Sequence, residues 1–383
     1  MEQTAKSPLI TSKERIIGID IVKIVAMFLV TLLHVTGVGG AVDTATNPVT
    51  KFLLCSVNGL SFCCINLFAL STGFLCYGKK NRVSRLLQLW IQVVFWSVFA
   101  NIIPAIYKKD FSILLETPFV RLFVISFCTY WYFVAYFALF FFIPILNSAI
   151  DKISEKQFWK LLAIFSVLLG ILPFLFNNDL FKLDKGYSFA WLMFLYLVGA
   201  GIRKFDINNR IKVSVSLITS VILFILQSFV TYFCKTTKAT FFEVDYSEVY
   251  CHYNFIVVAL LSVMLFVLVS KIKVKSIKLT KVLTLFSSVA FSVYLIQCNR
   301  SVWNEFFESK KFAFIGNFSP IISVLAAIGT SFAIYLAFSI LGIIQNKLFK
   351  LCRINILCDK IEKLVRKTFD WFYKSILLKC FSK

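Results

Sequence analysis

The chain has 383 residues, of which 59% are hydrophobic and 44 are Phe, and its formal charge is +22. A mean hydropathy of +0.82 and recurring apolar runs of about 20 residues, each enough to cross a roughly 30 Å hydrocarbon core, exclude a soluble domain. The runs are too continuous for a β-barrel, so the expected fold is an all-α polytopic transmembrane bundle.

Ten spans are predicted, at 17–37, 52–77, 86–107, 128–147, 158–176, 187–202, 211–233, 252–270, 282–303 and 318–345. The sixth looks short, and 111–127 reads as an extra half-buried piece. The first stretch is too long for a signal peptide and lacks a small-residue cleavage site, so no cleavable signal is expected. Of the 41 Lys and Arg, 29 fall before residue 17, in 78–85, 148–160, 203–212 and 271–281, and after 346. The positive-inside rule places those segments, and both termini, in the cytoplasm of a cell with a single inner membrane of this polarity. The expected setting is therefore a bacterial cytoplasmic membrane. One membrane domain covers 1–345. The tail 346–383 alternates basic and apolar residues at helical spacing and is expected to lie along the inner membrane surface. The charge suits anionic headgroups and cytosolic anions, and nucleic acid explains it poorly.

Most of the eleven Cys sit inside spans (Cys55, Cys63, Cys64, Cys76, Cys128) or in the tail (Cys352, Cys358, Cys380). There they act as small hydrophobes or face a reducing compartment. Only two His are present, no Cys/His cluster has zinc spacing, and no metal site is expected.

The first span carries two ionisable side chains, Lys23 and His34. A charge in hydrocarbon is unfavourable by at least about 2.5–3.5 kcal/mol, so it persists where it faces a bundle interior, a cavity or a partner. Eleven residues apart, the two share a helical face and lie about 16 Å apart along the axis. His34, toward the outer half, is a candidate general base for a hydroxyl; the plainer reading is a neutral His bonded to another helix. Lys23 could present a cation to a phosphate, snorkel to headgroups, or pair with Asp20. Arg82 and Arg85, entering the third span, share a face and could clamp a diphosphate, or simply set topology. Asn58, Asn66, Thr72, Gln88, Gln92, Asn101 and Gln227 read as interhelical glue. Gln297 is placed toward the site. Trp131, Tyr132, Trp191 and Tyr196 fit either an aromatic belt or a substrate-stacking wall, and His252 reads as structural.

These residues fall into a pattern that resembles the membrane acyltransferase-3 family. Lys23 and His34 match its opening Arg/Lys, ten residues, then His. Phe68-ALSTGF-Leu75 is similar to its Ser/Thr-Gly-Phe/Tyr element, and Arg82 and Arg85 match its Arg-x-x-Arg. Trp131-YFVAYFALFFFIP-Ile145 resembles its Trp-aromatic helix with terminal Pro, and Trp191-LMFLYLVGAGIRK-Phe205 its helix ending in Gly-x-x-x-Arg/Lys. Two departures stand out: Lys23 where Arg is commoner, and Gln297 in the late Tyr-Leu-x-His element. The resemblance implies about ten helices and transfer of an acyl group, usually acetyl, from cytoplasmic acyl-CoA to sugars outside. It implies that Lys23, Arg82 and Arg85 hold the phosphates of acetyl-CoA, which serves as donor and is not a resident cofactor. His34 then acts as base or acyl carrier, with Gln297 and Trp131 near the acceptor. The partners it implies are a surface polysaccharide or its lipid-linked precursor, together with membrane lipid. The competing expectation is a transporter or flippase for a lipid-linked sugar or small anion, although no inverted repeat is visible.

Overall fold

The computed structural model describes residues 15–372 apart from 116–122, 124, 177, 180, 238–239 and 242–243. Cys380, the end of the tail and part of the 111–127 piece thus lie outside the described residues. The bundle is built from α1 (Ile17–Thr36), α2 (Pro48–Ser61), α3 (Cys63–Cys76), α4 (Val83–Phe99), α5 (Ile102–Lys108), α6 (Trp131–Lys152) and α7 (Glu155–Ser166). It continues with α8 (Phe189–Lys204), α9 (Val213–Thr236), α10 (Ile256–Ser270), α11 (Ile277–Gln297), α12 (Pro320–Leu351) and α13 (Ile354–Phe372). A two-residue antiparallel ladder pairing Thr240 with Asp245 is the only strand structure among the described residues.

Nine helical stretches among the described residues are long and apolar enough to cross a membrane. The fold is the all-α polytopic bundle that the composition implies. The second predicted span consists of two helices, α2 and α3, meeting at Phe62, and the third continues from α4 into α5. The ninth ends at Gln297, where Asn299 caps a new short helix by accepting from Ser301 N and Val302 N. The sixth, α8, has 16 residues and so measures about 24 Å at 1.5 Å per residue, short of a full hydrocarbon core. Its start is set by the Ser188 side chain, which accepts from Trp191 N.

That short helix is nevertheless central. Trp191, Leu192, Leu195, Tyr196 and Ala200 are all buried, because α8 lies directly against α3. A Cβ added at Gly73 would sit 2.1 Å from Tyr196 O, and one at Gly199 would sit 2.2 Å from Leu70 O. Without a hydrophobic drive between helices in lipid, small residues that let backbones touch supply the packing. The same device seats α1 on α10, where a Cβ at Gly18 would lie 2.0 Å from Ser270 O.

Polar side chains supply the rest of the interhelical attachment. Asn58 Nδ2 donates to Thr36 Oγ1 at 3.0 Å, and Trp191 Nε1 donates to Asn66 Oδ1 at 3.0 Å. Asn66 Nδ2 donates in turn to Tyr253 O at 2.9 Å. Gln92 Nε2 bridges Ser292 Oγ and Gln345 Oε1 at 2.7 and 3.1 Å. Ser301 Oγ donates to Asn101 Oδ1, and Gln227 Nε2 to Tyr250 O. Thr72, by contrast, bonds only its own helix, at Phe68 O.

Replacing Gly199 by Val forces a side chain into the α3 backbone. Overpacking of this kind lowers stability by about 1–3 kcal/mol or more. The expected outcome is a lower thermal transition of the detergent-solubilised protein, measured by light scattering, with the exposed Gly78→Ala unchanged by comparison.

Candidate active site

His34 occupies the last turn of α1. The turn is held by Asn58 on Thr36 and by Gly39 N, which donates to His34 O at 2.8 Å. Its Nδ1 lies 3.1 Å from Gln297 Oε1 at the end of α11. An amide oxygen only accepts, so in this arrangement Nδ1 carries the proton and Nε2 is the basic nitrogen. The imidazole also stands edge-on to Trp303, with ring centroids 4.8 Å apart and planes at 90°, and near Phe307 at 5.2 Å. Both rings belong to the π-helical segment Trp303–Glu308, a conformation found mostly at functional sites.

His34, Trp131 and Trp303 border a cavity of about 910 Å³ that reaches inward to Val30 and Ile65. Its wall is aromatic. Trp131 stacks on Tyr253 (6.2 Å, 24° between planes) and packs on Tyr187 (4.6 Å). Of the two readings of Trp131, the structure selects the cavity wall. Tyr294, one helical turn before Gln297, lines the same cavity, and its buried hydroxyl has no partner. Around the opening lie three cations. Lys185 pairs with Glu248, Lys235 pairs with Asp43 at 3.1 Å, and Arg300 has no charged partner among the described residues. Through that hydrogen bond Glu248 holds the Lys185 ammonium above its ordinary value, and Lys185 holds the Glu248 carboxyl below its own.

Gln297 is fully buried and is absent from the cavity wall. It stands behind the imidazole, bonding it, instead of touching whatever enters the cavity. The expected substrate contact at this position is therefore corrected to a positioning role. The cause is its register: one helix turn beyond Tyr294, it faces α1.

The expected phosphate-binding residues lie at the opposite, basic end. Lys23 is half-buried in α1, within electrostatic reach of Arg15, Asp20 and Arg85. Asp20 is engaged elsewhere than at Lys23: it accepts from Arg15 Nε and Nη2 at 2.5 and 2.9 Å and from Ser287 Oγ at 2.7 Å. Arg85 is exposed. Arg82 pairs with Asp359 of α13 at 2.8 Å. Two turns of tail lock down this segment, since Glu362 also accepts from Ser84 N at 3.1 Å and from Arg366 at 2.7 Å. Burial opposes ionisation of Glu362, yet the hydrogen bonds from Ser84 and Arg366 prevail and hold the carboxyl down at about 2. The opposite side of α13 exposes Leu357, Leu364 and Trp371, seven residues apart.

His34, Gln297 and Trp131 thus gather at one end, and Lys23, Arg82 and Arg85 at the other. The single pocket expected to join them is closed in this structure. Between the two ends of α1, Val22, Ala26 and Met27 are buried in the core. No spacing in the sequence singled out Trp303, Phe307 or the acidic pair Asp359 and Glu362. Trp303 was read as the tail of a straight span, and the two acids are outnumbered in a basic segment.

A family model described as an acyltransferase domain matches residues 16–344. The chain belongs to the acyltransferase-3 family. No curated protein and no solved structure matches it. The match takes in His34, Lys23 and the arginine pair, and it makes this bundle a membrane acyltransferase. It also gives two of the loose sequence elements a physical meaning. The glycines of Ser-Thr-Gly-Phe and Gly-x-x-x-Arg are Gly73 and Gly199, the contact points of the α3–α8 seam.

The Glu362 carboxyl lies below its ordinary value of 4.5. Its contribution to docking α13 is therefore complete above that value and is lost as pH falls through about 2. Hydrogen exchange over 354–372, corrected for intrinsic rates, is expected to be unchanged between pH 7 and 5. Glu362→Ala should accelerate it at both.

Proposed function

We propose that the protein moves an acyl group, in the simplest case acetyl, from acyl-CoA to a hydroxyl of a cell-surface glycan or its lipid-linked precursor. The observation that carries this reading is the His34–Gln297 pair beside a large aromatic-walled cavity. A base with one nitrogen fixed by an amide and the other unbonded is what deprotonation of a hydroxyl requires. Stacked Trp and Tyr faces suit the apolar face of a sugar, while the cations at the opening suit acidic groups on the acceptor or its phosphate linkage.

The basic end, read as cytoplasmic by the positive-inside rule, receives the donor. Lys23, Arg82 and Arg85 provide the positive field for its phosphates. The acceptor hydroxyl enters from the opposite compartment and passes its proton to His34 Nε2. The oxygen attacks the thioester carbonyl, the C–S bond breaks, and the departing thiolate recovers the proton from the imidazolium. Gln297 holds the Nδ1–H tautomer throughout. Because α1 is packed shut at Ala26 and Met27, the donor's thioester arm reaches His34 only after the surrounding helices separate there. Docking of the donor phosphates also competes with Asp359 for Arg82.

Loss of a positioned general base lowers turnover about 10²–10⁴-fold. In nanodiscs with labelled acetyl-CoA, His34→Ala is expected to show that loss with donor binding retained. Surface glycans from a deletion strain complemented with His34→Ala should lack the O-acyl group by mass spectrometry. Equal O-acylation with and without the gene refutes the enzyme reading. Full rescue by His34→Ala refutes the assignment of the base. Gln297→Leu, which leaves the imidazole unoriented, is expected to lower kcat about tenfold with an unchanged KM for the donor.

A further inference from the structure

A second cavity, of about 580 Å³, opens at the basic end, where the start of α1 meets residues 208–209 and 270–274. Three cations line it: Arg15, Lys271 and Lys273. Arg15 is shared with Asp20, and Lys271 donates to the carbonyl of Ile211. Lys273 is exposed and has no acidic partner among the described residues. The α1 terminus that forms one wall has no side-chain cap on its backbone N–H groups. The wall is rigid, because Gly18 lies directly on Ser270.

Asn208 gives the crevice a direction. Its Nδ2 donates to Ser270 Oγ at 2.9 Å, which fixes the amide, while its Oδ1 is buried and without a partner. A buried acceptor left unbonded is unfavourable by about 1–3 kcal/mol, and such atoms in a native fold call for a ligand or a functional reason. The exocyclic amine of a purine is a donor of suitable size. Cations for phosphate, an uncapped helix start and an orphan amide oxygen for a base amine together describe a nucleotide.

We propose that this crevice seats the phosphorylated adenosine end of the acyl donor, an inference that rests on the acyl-CoA reading above. Lys23 is five residues beyond Gly18, about 7.5 Å further along α1, in the direction of His34. The donor therefore runs along one helix, with its nucleotide at the first turn, its diphosphate toward Lys23 and its thioester directed to the last turn. This arrangement explains how the donor is held while Arg82 is engaged by Asp359. A phosphate ester could also come from an anionic lipid headgroup, and the experiment separates the two sources.

Full-length protein in phosphatidylcholine nanodiscs is titrated calorimetrically with CoA, 3′-dephospho-CoA and adenosine 3′,5′-bisphosphate. Expected for the wild type is binding of CoA and the bisphosphate, with dephospho-CoA weaker. Lys273→Glu, an exposed site whose change leaves folding intact, and Asn208→Leu should each weaken CoA about tenfold or more. Lys273→Glu should also abolish the preference for the 3′-phosphate. Wild-type affinity for CoA in both variants overturns the crevice and leaves the donor reading standing. Absence of CoA binding to the wild type overturns both. If phosphatidylglycerol in the discs abolishes binding of the bisphosphate, the crevice is a lipid-headgroup site and the proposal fails.

Discussion

Inside hydrocarbon an amide or hydroxyl can bond only to other protein groups, and this constraint organises the whole bundle. It draws Asn58 to Thr36, Asn66 to Trp191 and Tyr253, and Gln92 to Ser292 and Gln345. The groups that break the rule are therefore informative. Gln297 Nε2, Tyr294 OH and Tyr130 OH are buried and unpartnered, and all belong to the neighbourhood of His34 and Trp131. A core this well satisfied elsewhere concentrates its unmet hydrogen-bonding capacity around the imidazole.

Much of this architecture was legible in the sequence, for reasons that differ from element to element. Long apolar runs report helices because a spanning segment has no other way to satisfy its backbone, and α1, α6, α9 and α10 follow directly. His34 and Lys23 stood out because ionisable groups in such a run are rare. What did not show was anything that depends on tertiary neighbours. The break at Phe62 carries no Pro or Gly, and the short α8 is tolerated because glycines press it against α3. Asp20 has Lys23 three residues away, yet its partner is Arg15, which lies before the helix and folds back onto it. Gln297 looked like a substrate contact because the resemblance set it beside the site, and only its packing angle shows that it serves His34 instead.

The charge distribution has the same dual character. Summed over the chain it is a coarse statement about membrane sidedness, blind to the acidic residues on α13. Locally, those two carboxylates bind the Arg82 segment more firmly than most surface pairs do, since Glu362 is buried and takes hydrogen bonds from both a backbone amide and a guanidinium. A basic tail thus attaches to a basic loop through its minority charges, leaving its Lys residues and its Leu357–Leu364–Trp371 stripe free for the membrane surface.

The pinning of α1 at both ends has a mechanical corollary. Its first turn is wedged backbone to backbone on Ser270, and its last is stapled to α2 through Asn58 and to α11 through Gln297. Axial sliding would break all three attachments together, so a piston stroke of this helix is excluded. Any passage between the two compartments has to come from sideways breathing of its neighbours around the midpoint, with α1 serving as a stationary rail.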